Sequence, residues 1–417
     1  MQLKYSLFAF SFLMVACGSL QAQNNASPYS IAGIGDIEQS YFDRSSGIAN
    51  TGVALSSNKY QFAANPASLV KLDDFFFDLE LSGRYKNVSY SGQPIGQLNT
   101  HSNDFQIKRL AMAVKMKRWW GIGFGLAPFS SANYSFTAPK EIQGSNDYTS
   151  AHYEGTGGVN KVYLSNSFGI GKRKNLRFGI ESSYLFGSLE QKETITYSNI
   201  VTNNQIHLDH LYFKGGIQYS ANLAKKWNVA VGASAANKTQ LSSSQALTVS
   251  EANVVISEND NFKNSYFNLP LIYTVGGAIT YNRTFTVAAD YQKQNWNDVK
   301  NLGGLGYSLT DANRISGGIE YVKNLNYRSV SLEKWYLQAG AFHTNSYVRL
   351  SGQQIDQTGF TLGGGISSLK IPFAVQANVE FGQRGTTDKG LIKESYQQFN
   401  ITLFYRDFWF TKQKKYD

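Results

Sequence analysis

The sequence predicts an all-β chain, a 14-stranded antiparallel transmembrane β-barrel with an N-terminal plug. Three observations predict it. Apolar residues recur at every second position from about Phe75 to the end, which is the strand period. Only 16% of the 417 residues are charged while 14% are aromatic and 38 are Gly, whereas an ordinary soluble domain carries about 25% charge. The mid-strand charges fall opposite the apolar face, where a soluble core would not take them unpaired but a polar lumen would.

The N-terminus comes first. Lys4 precedes the apolar run Leu7 to Ala16, and Gly18-Ser19-Leu20-Gln21-Ala22 follows with small residues. This reads as a secretory signal peptide, residues 1–22, too short to span a bilayer as a helix. The single cysteine, Cys17, lies within it. Met14-Val15-Ala16-Cys17 is also the position of a weak lipoprotein box, so lipidation of Cys17 stays an alternative. One cysteine excludes a disulfide framework.

Residues 23–74 alternate poorly. They hold Gly33-Ile34-Gly35, which no strand and helix frame as a dinucleotide site, and Asn65-Pro66, a turn initiator. A barrel of this size encloses space, and a segment of some fifty residues before the first strand is read as a plug filling it.

The strands are read at 75–91, 103–116, 120–137, 159–171, 175–190, 205–222, 227–242, 268–281, 284–297, 310–323, 333–346, 358–368, 372–384 and 395–410. Connections after even strands, such as Lys117-Arg118-Trp119 and Asn282-Arg283, are short, as periplasmic turns are. Connections after odd strands, 138–158, 191–204, 243–267, 298–309 and 385–394, read as long outer loops. The segment 324–332 breaks this rhythm. With both termini placed in the periplasm, the barrel covers 75–411 and a basic tail 412–417 follows it. Aromatics of the last strand, Phe399 to Phe410, suit a membrane interface. The expected location is the bacterial outer membrane.

Asp78, Glu80, Arg84, Arg177, Glu181, Asp290, Arg314, Glu320, Glu380 and Arg406 fall on lumen faces. They read either as a polar network joining plug to wall or as a pore lining. Phe76, Tyr212, Tyr336 and Phe342 are the inward aromatics that could line a ligand pocket. Pro128, flanked by Ala127 and Phe129 in the third strand, cannot donate to a ladder. It marks either a lateral opening in the wall or a bend at the outer rim. His207-Leu-Asp209-His210 is the sole histidine cluster and offers no third metal ligand on its own face. No serine or cysteine motif singles out a nucleophile, so no enzyme, metal or cofactor is expected.

The formal net charge is +10. Lys117, Arg118, Lys172, Arg173, Lys174, Lys225, Lys226, Arg283, Lys323 and Lys370 sit at the short turns, and Lys412, Lys414 and Lys415 follow the last strand. They read as a basic periplasmic rim meeting phospholipid headgroups, or as a face for an acidic partner. Nothing points to nucleic acid.

Asn65-Pro66-Ala67 with Leu69, then Tyr184-Leu185-Phe186-Gly187, Leu269-Pro270, Gly276-Gly277, Ala289-Asp290-Tyr291 and Trp296 occur in the order found in one family. Through these motifs the chain resembles the FadL/TodX-type outer-membrane transport proteins. The resemblance implies an N-terminal hatch bearing Asn65, Pro66, Ala67 and Leu69. It also implies uptake of hydrophobic small molecules such as long-chain fatty acids, with lateral exit at a kinked third strand. Outer-membrane lipids and a hydrophobic small-molecule ligand are then the expected partners. Barrels similar to this family also act as non-conducting accessory subunits of outer-membrane secretion or protein-assembly complexes, which would bring outer-membrane or periplasmic protein partners. That function is the alternative.

Overall fold

The computed structural model describes Ser27 to Phe408, apart from 93–100, 143, 145–146, 172–173, 196, 253, 300–306, 328–329 and 369–370. The expected signal peptide with Cys17, the turn residues Lys172, Arg173 and Lys370, and the tail 412–417 lie outside the described residues.

The wall is a single antiparallel sheet. In chain order its elements are β1 (Asp36–Ile37), β2 (Phe76–Ser91), β3 (His101–Lys117), β4 (Trp120–Ser131), β5 (Tyr134–Glu141), β6 (Tyr148–Ile170), β7 (Leu176–Ile195), β8 (Ile200–Ala224), β9 (Trp227–Ala236) and β10 (Thr239–Glu251). There follow β11 (Val254–Leu269), β12 (Ile272–Tyr281), β13 (Phe285–Gln294), β14 (Tyr307–Leu309), β15 (Ala312–Tyr327), β16 (Val330–Leu350), β17 (Gln353–Ser367), β18 (Phe373–Arg384) and β19 (Lys393–Phe408). β1 belongs to the plug. β4 with β5, β9 with β10, β11 with β12 and β14 with β15 are single wall strands with a short break, so the barrel has fourteen strands. It closes where β19 pairs with β2, from Lys393↔Ser91 to Phe408↔Phe76.

Period two sorts the side chains. Leu81, Leu110, Phe124, Leu164, Ile279, Leu362 and Ile401 point outward and are exposed, which in a membrane means lipid-facing. Asp78, Glu80, Ser82, Arg177 and Asp290 are buried in the lumen.

Three sequence expectations are corrected. The segments 138–158, 191–204 and 243–267 are mostly strand: β5–β6, β7–β8 and β10–β11 run on as paired hairpins, to Glu141↔Tyr148, Ile195↔Ile200 and Glu251↔Val254. The segment 324–332 is no long connection, because β15 and β16 stay paired to Tyr327↔Val330. At its first described residue the N-terminal segment stands at the end of the barrel opposite the short turns. Ser27 bonds Asn133 and Glu394 at the outer end, and the chain then descends the lumen before entering β2 from the periplasmic side.

The plug has little regular structure. It contains 3-10 turns at Pro28–Ile31, Arg44–Ile48 and Pro66–Lys71, plus β1. Its backbone groups therefore find partners in the wall, as buried peptide groups must.

Candidate functional site: the plug and the lumen wall

Arg44 is the single Arg of residues 23–74, and it is the centre of the lock. Asp43 caps the turn that presents it, accepting from Ser45 N at 2.7 Å. Arg44 Nε donates to Glu320 at 2.9 Å and Nη1 to Glu333 at 2.9 Å. Its guanidinium lies over Tyr336 and Tyr60, 3.9 and 4.2 Å from the ring centres. Burial alone would lower the Arg44 pKa, but Glu320 and Glu333 carry it above the usual value. Burial and the nearby Glu333 carboxylate push the Tyr60 phenol up to about 12.

Wall charges hold the plug at other depths. Asp290 accepts from Gly52 N and Val53 N at 2.7 and 2.9 Å. Arg314 donates to Ala49 O at 3.2 Å and packs on the Phe342 ring. Lys214 donates to Ala63 O at 2.9 Å, and Gln218 to Val53 O and Leu55 O, both at 2.9 Å. Near the outer end Arg384 grips Asp36 with both terminal nitrogens, at 2.5 and 3.0 Å.

Asn65 joins plug to wall. Its Oδ1 accepts from Ala67 N at 3.0 Å, capping Pro66–Lys71. Its Nδ2 donates to Val53 O at 2.9 Å and to Ile217 O and Ala233 O of the wall, both at 3.1 Å. Pro66 and Ala67 fit over Gly179, and Leu69 over Gly121 and Gly123. Wall glycines make this seat: a Cβ at Gly216 would stand 2.0 Å from Asn65 Oδ1, and one at Gly179 would stand 2.3 Å from Ala67 N. Sequence reading missed these seats and the partners Arg44, Asp36, Glu333 and Arg384.

The lumen charges read from the sequence are all brought inside, in separate groups. Glu80 pairs with Arg109 at 2.5 Å, and Asp78 accepts from Gln61 at 3.0 Å. Arg84 faces Glu38 and Asp104, Arg177 donates to Gln218 and Ser220, and Glu181 pairs with Lys161. Glu380 accepts from Tyr396, and Arg406 donates to Ser367 and covers the Tyr60 ring. The four inward aromatics do not converge. Phe76 packs with Leu69 and Leu72, and Tyr336 with Tyr60 and Phe404. Tyr212 meets Phe129 edge-on, while Phe342 lies under Arg314.

Above this polar zone the outer mouth is capped by an apolar cluster. Ile34 and Ile37 of the plug pack with Leu189, Ile206, Leu241, Phe267, Trp296 and Val348. Two of the cavities among the described residues are partly charged. One, about 140 Å³, is lined by residues that include Asp36, Arg84, Lys108, Arg314, Glu380 and Arg384. The other, about 120 Å³, lies behind Ala127, Pro128 and Phe129, with Tyr212, Arg109, Lys161 and Lys214 also on its walls.

Pro128 sits at an irregular seam. The β3–β4 ladder stops at Leu110↔Leu126, although β3 continues to His101. The β4–β6 register slips between Pro128 and Ser130. The end of β4 pairs instead with the plug, as Ile37↔Ser130 and Asp36↔Ser131. His207 and Asp209 face outward and exposed, and among the described residues no group of three or more His, Cys, Asp or Glu is placed to hold a metal.

A family model described as BamG matches residues 3–417. The chain belongs to the BamG family. Curated proteins yield no match. Among solved structures, a Pseudomonas aeruginosa FadL homologue aligns with TM-score 0.60 at 11% identity, over 90% of this chain and 99% of that one. The Pseudomonas putida toluene transporter TodX aligns with TM-score 0.56 at 17% identity, over 88% and 98%. The Ralstonia pickettii toluene transporter TbuX aligns with TM-score 0.55 at 17% identity, over 87% and 97%. The FadL/TodX resemblance read from the sequence is thus met at the level of the fold: this BamG-family member shares its barrel fold with these channels.

Proposed function

We propose that the protein is a non-conducting accessory barrel of an outer-membrane secretion or protein-assembly complex. The observation that carries this reading is the locked plug. Arg44 is held by two carboxylates, Asp290 and Asn65 fix the plug backbone, and an apolar cluster closes the outer mouth. Releasing such a plug would leave buried charges without partners, which is costly. Membership of the BamG family, not of a family named for transport, agrees with it. The test joins two measurements on the intact protein. In planar bilayers it should stay closed, and in mild detergent it should co-purify stoichiometrically with other outer-membrane or periplasmic proteins. Steady conductance, or a barrel that always purifies alone, would overturn the reading.

A second reading is uptake of hydrophobic small molecules, long-chain fatty acids among them, past a shifting plug with lateral exit near strand three. The seam at Leu126–Ser130 favours it, because the cavity of about 120 Å³ lies directly behind Pro128. The structural neighbours, toluene transporters among them, favour it as well. In this reading Pro128→Ala restores pairing and slows uptake of a labelled hydrophobic solute; unchanged uptake removes the seam from the route.

A further inference from the structure

One side of the barrel rises far past the membrane. A transmembrane β-strand needs about 9–11 residues, yet β6, β7 and β8 have 23, 20 and 25. Elsewhere in the wall β13 and β18 have 10 and 12, and β16, of 21, gains part of its length at the opposite end, where it stays paired to Tyr327↔Val330. The turns at the periplasmic end are tight, so the surplus stands outside the cell. There β5, β6, β7, β8, β10 and β11 form one continuous raised sheet, paired through Ala151↔Ile195, Glu251↔Ile200 and Glu251↔Val254.

The crest of this sheet has two properties. It is apolar: Tyr197 is 87% exposed and Val254 68%, and Val255 and Ile256 are exposed beside it. Successive strand residues face opposite ways, so Val254-Val255-Ile256 offers apolar surface on both faces, above the bilayer where lipid tails cannot cover it. The crest is also acidic. Lys140 and Lys192 are already engaged by Glu193 and Glu154. Glu141, Glu190, Glu251 and Glu258 make no ion pair among the described residues, and all are exposed. This contrasts with a chain whose net charge is +10.

We propose that this crest docks a surface-exposed protein that presents an apolar patch rimmed by Lys and Arg. Charge decides among the occupants. Anionic lipid headgroups are repelled by the carboxylates. A second copy would bring the same acidic crest to a self-complementary contact. A basic-rimmed protein gains on both counts, since complementary rims steer encounter while the apolar centre holds. The proposal rests on the accessory-barrel reading and adds the side of the membrane from which the partner binds.

The described barrel holds no cysteine, because the single one of the sequence, Cys17, precedes it. Val255→Cys, or Tyr197→Cys as a second position, therefore gives a single thiol at the crest of the full chain. Intact cells are treated with a membrane-impermeant maleimide–succinimidyl cross-linker. The expected result is a single basic surface protein joined to the barrel. The adduct falls roughly tenfold when Glu251→Lys and Glu258→Lys are added, and falls likewise in about 0.5 M salt, where the Debye length is only a few ångströms. Heat-modifiable migration on gels checks that each variant keeps its barrel. An adduct insensitive to charge reversal, an adduct with a second copy, or a reactive thiol that forms no protein adduct overturns the proposal. Purification in mild detergent separates the two failures. A complex that survives charge reversal intact sinks the crest alone, whereas a wild-type barrel without companions sinks the accessory reading as well.

Discussion

At the scale of single residues, the plug is held by groups whose partners lie hundreds of positions away. Arg44 meets Glu320 and Glu333, and removing it leaves two largely buried carboxylates beside two aromatic rings. Arg44→Ala should cost about 3–5 kcal/mol, read by denaturant unfolding in detergent, because a broken buried pair costs more than the pair contributes. Arg44→Lys keeps the charge but not the fork, and should recover only part of the loss. The glycine seat gives a sharper pair of variants. Gly216→Ala drives a Cβ into Asn65 and should loosen the plug, seen as new protease cleavage within residues 27–74. Its neighbour Gly215 has nothing within 4 Å of the added carbon, so Gly215→Ala should leave the plug resistant. Alternation made the lumen charges legible, since Asp78, Glu80, Arg177 and Asp290 fall on one face by counting. Their partners were not legible, because the plug has no period and its contacts depend on how it winds through the lumen. A lone Arg in a segment with no other was the one available signal.

At the scale of elements, the strands were legible where one face meets lipid. Between the interfaces every second residue must be apolar, and the fourteen sequence-read strands fall on the fourteen wall strands. Above the membrane that constraint lapses. Both faces of β7 and β10 are wet there, Ser, Asn and Thr interrupt the apolar alternation, and the segments 191–204 and 243–267 looked like loops although they are ladders. The same reasoning predicts independence. Among the described residues β11 makes its ladder with β10 alone. Replacing 247–259 by an Asn-Gly turn, so that the pair Ala246↔Asp260 flanks it and Leu241 and Phe267 stay in the apolar cap, should leave the folded barrel intact, with unchanged heat-modifiable migration. Loss of the folded band would mean that the raised sheet supports the wall. Pro128 was legible as a break because a donor is missing there. What the break adjoins was not, because the pairing of β4 with the plug strand β1 joins segments about ninety residues apart.

At the scale of the whole molecule, charge is segregated by side. Lys117, Arg118, Lys225, Lys226, Arg283 and Lys323 are exposed at the periplasmic turns, while the raised crest is acidic. Such asymmetry orients a barrel. The expected placement sets the basic rim on phospholipid headgroups and keeps the acidic crest clear of the membrane. Each rim cation near an anionic surface is worth about 1 kcal/mol. Lys225→Gln, Lys226→Gln and Lys323→Gln together should therefore weaken association with phosphatidylglycerol-containing vesicles by up to roughly 3 kcal/mol at low salt. Refolding into those vesicles should slow accordingly, while refolding into uncharged phosphatidylcholine should be unaffected. Salt supplies the sign check: at about 0.5 M the Debye length is only a few ångströms and the difference should vanish. If the triple variant instead refolds equally fast into both vesicles but loses a co-purifying acidic periplasmic protein, the rim is a protein-docking face, and the accessory barrel is held from below as well as from above.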